Sequence, residues 1–137
     1  MLDSPGGAVY DISNGSVRYT KRFWPERAER LAMAVNSWSA TFRYTEADVR
    51  RVAPVTGGVY KLMYAQNAKL YVFYVGQSSN LAERLLGHLG SAEPNACIRR
   101  HLQSYTCHFD FLSVSTESER LRVESDTIRQ FNPPCNA

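Results

Sequence analysis

The chain has 137 residues, 44% hydrophobic and 21% charged, values close to those of an average globular domain; a disordered chain, a collagen-like repeat and a coiled coil are excluded. That length holds one domain and a short accessory segment. Sixteen Lys and Arg against thirteen Asp and Glu give a formal charge of +3 with no run of like charge, so the composition permits nucleic-acid binding, with an electrostatic part that is modest and fades with salt.

In chain order, AVYDISNGSVRYTKRF carries two short β-prone runs around Asn14 and Gly15, a strong hairpin signal. Pro25 sits where a first helical turn tolerates it, and Leu31, Val35 and Trp38 follow at helical spacing, with Arg27 and Arg30 on the other face. Thr45, followed by Glu46 and Asp48, reads as the cap of a short helix that Pro54 stops. From Gly57 the texture becomes β-rich: GGVYKLMYA and KLYVFYVG, separated by Gln66, Asn67 and Ala68, predict an antiparallel hairpin. Ser78, Ser79 and Asn80 open the helix NLAERLLGHL, ACIRRHLQ forms a second short helix, and TCHFDFLSVS forms a third strand. A last helix runs from about Thr116 to Phe131, ended by Pro133 and Pro134. The fold class is α+β: a small three-stranded antiparallel sheet flanked by helices, with an N-terminal hairpin-plus-helix extension over 1–53 and the main domain over 54–137.

No stretch reaches the roughly 18–20 apolar residues that a spanning helix needs. The opening MLDSPGGAVYD lacks the basic and apolar regions of a secretory signal. The expectation is a soluble, cytoplasmic chain with no membrane partner. Three cysteines, Cys97, Cys107 and Cys135, are an odd number, which argues against a disulfide framework. Cys97, His101, Cys107 and His108 lie close in sequence, but a zinc site from them would need an adjacent Cys-His pair as ligands, and buried reduced cysteines are the better reading.

Three groups of polar residues fit packing less easily. Glu124 falls within the apolar stripe marked by Leu121, Ile128 and Phe131 on the last helix, where a carboxylate is expensive unless it is paired or bound to a metal. Arg84 and His88 share one face of the helix after the hairpin. Gly76, Gln77 and Ser78 lead into that helix, whose first N–H groups could meet an anion. Tyr60 and Tyr74 stand at the outer ends of the two hairpin strands, close enough in register to come together.

Together these residues resemble the GIY-YIG nuclease family over residues 57–136. Gly58-Val59-Tyr60 is similar to the first signature triplet and Tyr74-Val75-Gly76 to the second, with a slightly longer stretch between them than most members show. Arg84 stands at the family's arginine, His88 at the histidine of homing and restriction members, and Glu124 and Asn136 open and close the pattern E-x3-I-x3-N-P-x2-N. Gln77 stands where excision-repair members tend to carry Lys, so with His88 the resemblance leans to the restriction, homing or mobile-element side. The alternatives are a structure-specific repair or recombination nuclease, a toxin-type nuclease, and a retired nucleic-acid-binding module.

The resemblance implies hydrolysis of DNA phosphodiesters with one divalent metal, Mg2+ or Mn2+, held by Glu124. Arg84 would bind a phosphate oxygen and Tyr60 would activate the water, assisted by His88. Tyr74 would orient the water or the phosphate, and Asn136 would tie the chain end to the site. A free Tyr titrates near 10, so the metal and Arg84 would have to lower Tyr60. The expected substrate is double-stranded DNA, with a homodimer on DNA where both strands are cut. Gly76, Gln77 and Ser78, with Lys21, Arg22, Arg27 and Arg30 of the extension, are the expected DNA contacts. For the extension, packing against the core is the alternative.

Overall fold

The computed structural model describes residues 9–11, 18–20 and 38–136. They form strands β1 (Val9–Asp11), β2 (Arg18–Thr20), β3 (Phe42–Arg43), β4 (Gly58–Gln66), β5 (Lys69–Ser78) and β6 (Cys107–Ser113). The helices are α1 (Glu46–Val52), α2 (Leu81–Leu89), α3 (Ala96–Ser104) and α4 (Glu117–Phe131), and a 3-10 turn, Pro134–Asn136, follows α4. The sheet is antiparallel, in the order β2-β1-β5-β4-β6-β3. Its centre, β5-β4-β6, is the expected three-stranded sheet. The N-terminal hairpin adds two strands at one edge and Phe42–Arg43 a third at the other.

Both faces of the centre are covered, so β4 reads as a continuous buried run from Gly58 to Met63 rather than as an alternation. Tyr60 and Leu62 point to one side, where Phe73, Leu81, Leu85, Ile98 and Phe109 complete a core beneath α2 and α3. Val59 and Met63 point to the other side, where Val72, Val75 and Phe131 pack beneath α4. Tyr44 and Val49 belong to the first core, so the described part of 1–53 shares one interior with the rest. The helix expected over 25–38 lies outside the described residues except for Trp38, which packs against the second core.

Local chemistry explains the element ends. Thr45, Asn80, Asn95 and Thr116 each cap a helix by accepting a backbone N–H with the side chain. The β4–β5 turn places Asn67 and Ala68 at φ 54° and 62°, the two positive values of a type I′ turn. Asn132 ends α4 at φ 48°, one residue before the prolines that were expected to do so.

Two expectations need correction. Leu121 is 47% exposed. The inward face of α4 runs instead through Arg120, Thr127 and Phe131, a row that still includes Glu124 at its i+4 position. Cys97 and Cys135 are joined in a disulfide, and Cys107 stays free. An odd count of cysteines leaves room for one bond that docks the 3-10 turn onto α3.

A buried ion pair on the α4 side of the sheet was not anticipated from the sequence. Lys61 Nζ lies 3.5 Å from Asp110 Oδ2, both side chains almost fully buried, and the ammonium sits 3.7 Å from the Trp38 ring centroid. Burial pushes Asp110 up to about 6, against the pull of Lys61, and pushes Lys61 down, against the pull of Asp110. Removing Asp110 takes away the carboxylate that offsets the desolvation of the buried ammonium. Asp110→Ala should therefore lower stability by about 3–5 kcal/mol in urea unfolding at neutral pH. The deficit should narrow at alkaline pH, where the depressed Lys61 loses its proton; a loss under 1 kcal/mol would show that the pair does not hold the two layers.

Candidate active site

The site is built around one aromatic ring. Tyr60 pairs with Gly76 across β4 and β5, and a Cβ on Gly76 would lie 2.4 Å from the Tyr60 hydroxyl oxygen and 2.5 Å from Cζ. The missing side chain is thus the space in which the phenol lies. A second device acts two residues earlier. Leu62 pairs with Tyr74 and Met63 with Val72, so Phe73 is an extra residue, a β-bulge. The bulge lets both Phe73 and Tyr74 pack on the same core face. It brings the Tyr74 ring 6.2 Å from Tyr60 and, edge-on, 5.4 Å from His88.

Helix α2 supplies the next two groups. Arg84 is exposed and His88 is buried, although both lie on the boundary of one helical face. His88 Nε2 is 2.6 Å from the Tyr60 hydroxyl, and Nδ1 is 2.7 Å from Glu93 Oε1. Glu93 Oε2 accepts the Asn95 backbone N–H at 2.7 Å. Burial depresses His88 below its ordinary value, although Glu93 opposes the shift, so the ring is neutral at neutral pH. The network assigns its proton to Nδ1, facing the carboxylate, which leaves Nε2 to accept from Tyr60. Burial pushes Glu93 up, but the Asn95 N–H, His88 and Arg84 outweigh it and keep the carboxyl below its ordinary value.

Of the two groups expected to lower Tyr60, Arg84 by itself does not do so. Burial raises its phenol well above 10, reinforced by Tyr74, and the Arg84 guanidinium beside it compensates only in part. Glu93 is the member of this hydrogen-bonded group that the sequence reading missed: a Glu in the loop between α2 and α3 has no periodicity to expose it. Its only signal is Pro94 and Asn95, which fix its backbone against the cap of α3.

Glu124 projects from α4 close enough for its charge to act on Tyr60. Burial alone raises its carboxyl. One turn earlier, Arg120 donates to the Val114 and Ser115 carbonyls at 3.2 and 3.0 Å and to Gln77 Oε1 at 3.1 Å, fastening α4 to the sheet. Asn136 accepts the Val75 N–H at 2.9 Å and donates to the Val75 carbonyl at 2.8 Å. It acts as a one-residue strand on the edge of β5 beyond β1 and steadies the segment between Tyr74 and Gly76, the tying role expected of it.

The expected anion cradle at the start of α2 is absent. The Leu81 and Ala82 N–H groups donate to the Thr56 and Pro54 carbonyls at 3.0 and 2.9 Å, and Glu83 N–H donates to Asn80 Oδ1 at 3.0 Å. Gly76 is buried beneath Tyr60, Gln77 is held by Arg120, and the Ser78 hydroxyl bonds Asn80. Each of the three takes part in holding the strand-to-helix turn, Gln77 through its carbonyl oxygen alone. Lys21, Arg22, Arg27 and Arg30 lie outside the described residues.

An antiparallel hairpin that brings two tyrosines, an arginine, a histidine and a helix-borne glutamate to one place is the arrangement of a GIY-YIG domain. The chain belongs to the UvrC-like GIY-YIG domain family, whose sequence model matches residues 56–137. UvrABC system protein C of Rhodopseudomonas palustris strain BisB5 is 33% identical over 138 residues, covering 97% of this chain and 19% of the relative. The protein of the same name from Bradyrhizobium diazoefficiens is 31% identical over 86 residues, 63% of this chain and 12% of the relative. The chain thus spans a fifth or less of the length of these curated relatives. The magnesium-bound GIY-YIG N-terminal endonuclease domain of UvrC from Thermotoga maritima superposes with a TM-score of 0.51 at 22% identity, covering 66% of this chain and 97% of that domain. These likenesses favour the repair alternative over the restriction or homing side. Gln77 and His88 pointed to the latter, but Gln77 is engaged in anchoring Arg120, and two positions weigh less than a match along the whole domain.

Gly76→Ala tests the packing of the ring. The added methyl must displace the phenol, so folded Gly76→Ala protein should lose nuclease activity by at least 100-fold in a plasmid assay. Near-normal activity would show that the Tyr60 position does not matter.

Proposed function

We propose that the chain hydrolyses phosphodiester bonds in DNA as the incision domain of a structure-specific repair nuclease, with one Mg2+ or Mn2+ held at Glu124. The observation that carries this reading is the chain of short hydrogen bonds from Tyr60 through His88 to Glu93, opening beside an exposed cationic fork and an uncompensated carboxylate. The residues fit a hard divalent ion. Glu124 is raised by burial alone, which is the penalty a bound cation would relieve, and a single carboxylate with waters suits Mg2+. When bound, such an ion supplies charge neutralisation at the scissile phosphate and at the leaving oxygen.

The remaining work falls to the chain itself. His88 Nε2 takes the Tyr60 proton as the phenol oxygen takes one from the attacking water, so no free phenolate accumulates. Glu93 holds the His88 ring in the accepting tautomer and stabilises the imidazolium that forms, the logic of a nucleophile–base–orienter triad. Arg84, exposed and beside Tyr60, offers paired N–H donors to a non-bridging phosphate oxygen. Tyr74 walls the reacting water against His88. One site per chain nicks a single strand of double-stranded DNA, and cutting both requires a second copy. The exposed Arg84 and the relay's intact geometry support an enzyme over a retired binding module.

Glu124→Gln should abolish metal-dependent nicking of supercoiled plasmid while the protein stays folded. Because the folded state disfavours the charged carboxylate, its melting temperature should equal or exceed that of the wild type. Full activity in that variant would overturn the reading.

The relay has its own test. Activity needs neutral His88, whose pKa lies below 6.5, so the acid limb of the rate profile should fall below pH 6.5. Glu93→Gln removes the carboxylate that supports the imidazolium. It should move that limb lower still and cut kcat by about 10²- to 10⁴-fold, the range for losing positioned acid-base catalysis; an unchanged limb and rate would remove Glu93 from the mechanism.

A further inference from the structure

Where α3 meets the 3-10 turn, three side chains with metal-binding atoms converge. Cys97 and His101 are one turn apart on α3, and Cys135 in the 3-10 turn meets them, all three ligand atoms within 4.8 Å of one another. His101 Nδ1 lies 3.5 Å from Cys135 Sγ and 3.9 Å from Cys97 Sγ. With Zn–S near 2.3 Å and Zn–N near 2.0 Å, a tetrahedral ion places a sulfur and a nitrogen about 3.6 Å apart. The imidazole stacks on Phe73 at 4.6 Å with 7° between the planes and packs on Tyr64 at 5.3 Å, and its Nδ1 donates to the Cys97 carbonyl at 2.8 Å, a bond that a cation on Nδ1 would replace. The Cys135 carbonyl is held by the Asn95 side chain at 3.3 Å, and the free Cys107 directs its thiol to the His101 and Tyr105 carbonyls instead.

The geometry points to a second cation site: in the reduced chain, Cys97, His101 and Cys135 bind a thiolate-preferring divalent ion such as Zn2+, with water as the fourth ligand. The disulfide is the oxidised form of the same site. Two thiolates and an imidazole select a soft or borderline ion, whereas the lone carboxylate of Glu124 suits a hard one, so the two sites divide cations by chemistry. The interchange balances with a low-molecular-weight disulfide as oxidant. Its S–S bond is reduced to two thiols, the Cys97 and Cys135 sulfurs give up two electrons and form their own bond, and the cation leaves. Either occupant fastens the 3-10 turn, and with it Asn136 on Val75, to the α3 end that also holds Glu93 through Asn95.

The test is a Co2+ titration of the reduced, chelator-treated full chain in a Glu124→Gln background, which removes the carboxylate proposed for the other ion and needs no nuclease activity. One equivalent should produce sulfur-to-cobalt charge-transfer absorption. The band should vanish on adding Zn2+, and it should be absent after oxidation with glutathione disulfide. His101→Ala should weaken binding at least tenfold. Cys97→Ser/Cys135→Ser should show no band, and the oxidised parent, with the same fold and no free ligand thiols, serves as the reference should that variant misfold. No charge-transfer band in the reduced chain, a band that survives oxidation, or unchanged affinity in His101→Ala would each overturn the proposal.

Discussion

Everything at the site depends on the phenol of Tyr60 lying across a strand that has no side chain to obstruct it. Gly76 provides the space, and the ladder that pairs the two residues fixes the ring where a hydroxyl can reach a histidine on the next helix. The constraint spreads outward. β5 must keep its register beside Tyr60, which explains why Asn136 occupies the Val75 backbone and why Arg120 holds Gln77. It must also turn Tyr74 to the same face, which the bulge at Phe73 achieves. Residues without chemical roles thus surround the ring because a displacement of about an ångström would break the 2.6 Å contact to His88.

Burying that contact creates an electrostatic problem that the structure solves in an ordered way. A phenol at low dielectric resists ionisation, as the raised Tyr60 shows, so a base must be within reach and must itself be uncharged. Burial keeps His88 neutral. A neutral imidazole buried alone would be a poor proton acceptor, however, and Glu93 restores its basicity while selecting the tautomer. Glu93 in turn is kept ionised by the Asn95 N–H, where the positive end of α3 favours an anion. Each group corrects the environment of the one before it, and the series ends at a helix terminus, which needs no further partner.

The sequence reading was most successful where local chemistry decides the outcome. The hairpin, the four capped helices and the third strand followed from turn residues, N-caps and periodicity. Tyr60, Tyr74, Arg84, His88 and Glu124 were singled out by the spacing of the family's motifs, because packing alone accounts for most of them equally well. Residues whose role is created by distant segments were not legible. Lys61 meets Asp110 only across paired strands, whereas Glu93, five residues beyond His88, was missed because an irregular loop has no periodicity. Cys97 meets Cys135 across 38 residues. Leu121 was misplaced because Arg120, long enough to bury its stem and end on two carbonyls, occupies the inward position that an apolar residue was expected to hold.

The two faces of the sheet show how differently a buried charge can be used. On the α4 side, Lys61 and Asp110 form a buried ion pair beneath Trp38 and Phe131. On the other side, Tyr60, His88 and Glu93 form a hydrogen-bonded series that begins near exposed Arg84. Both arrangements carry a desolvation cost, and under the proposed function only the second would meet a phosphate at its exposed end. Neighbouring residues of one strand, Tyr60 and Lys61, begin the two arrangements. The alternation of β4 therefore divides scaffold from chemistry, and a one-residue slip in its register would exchange them.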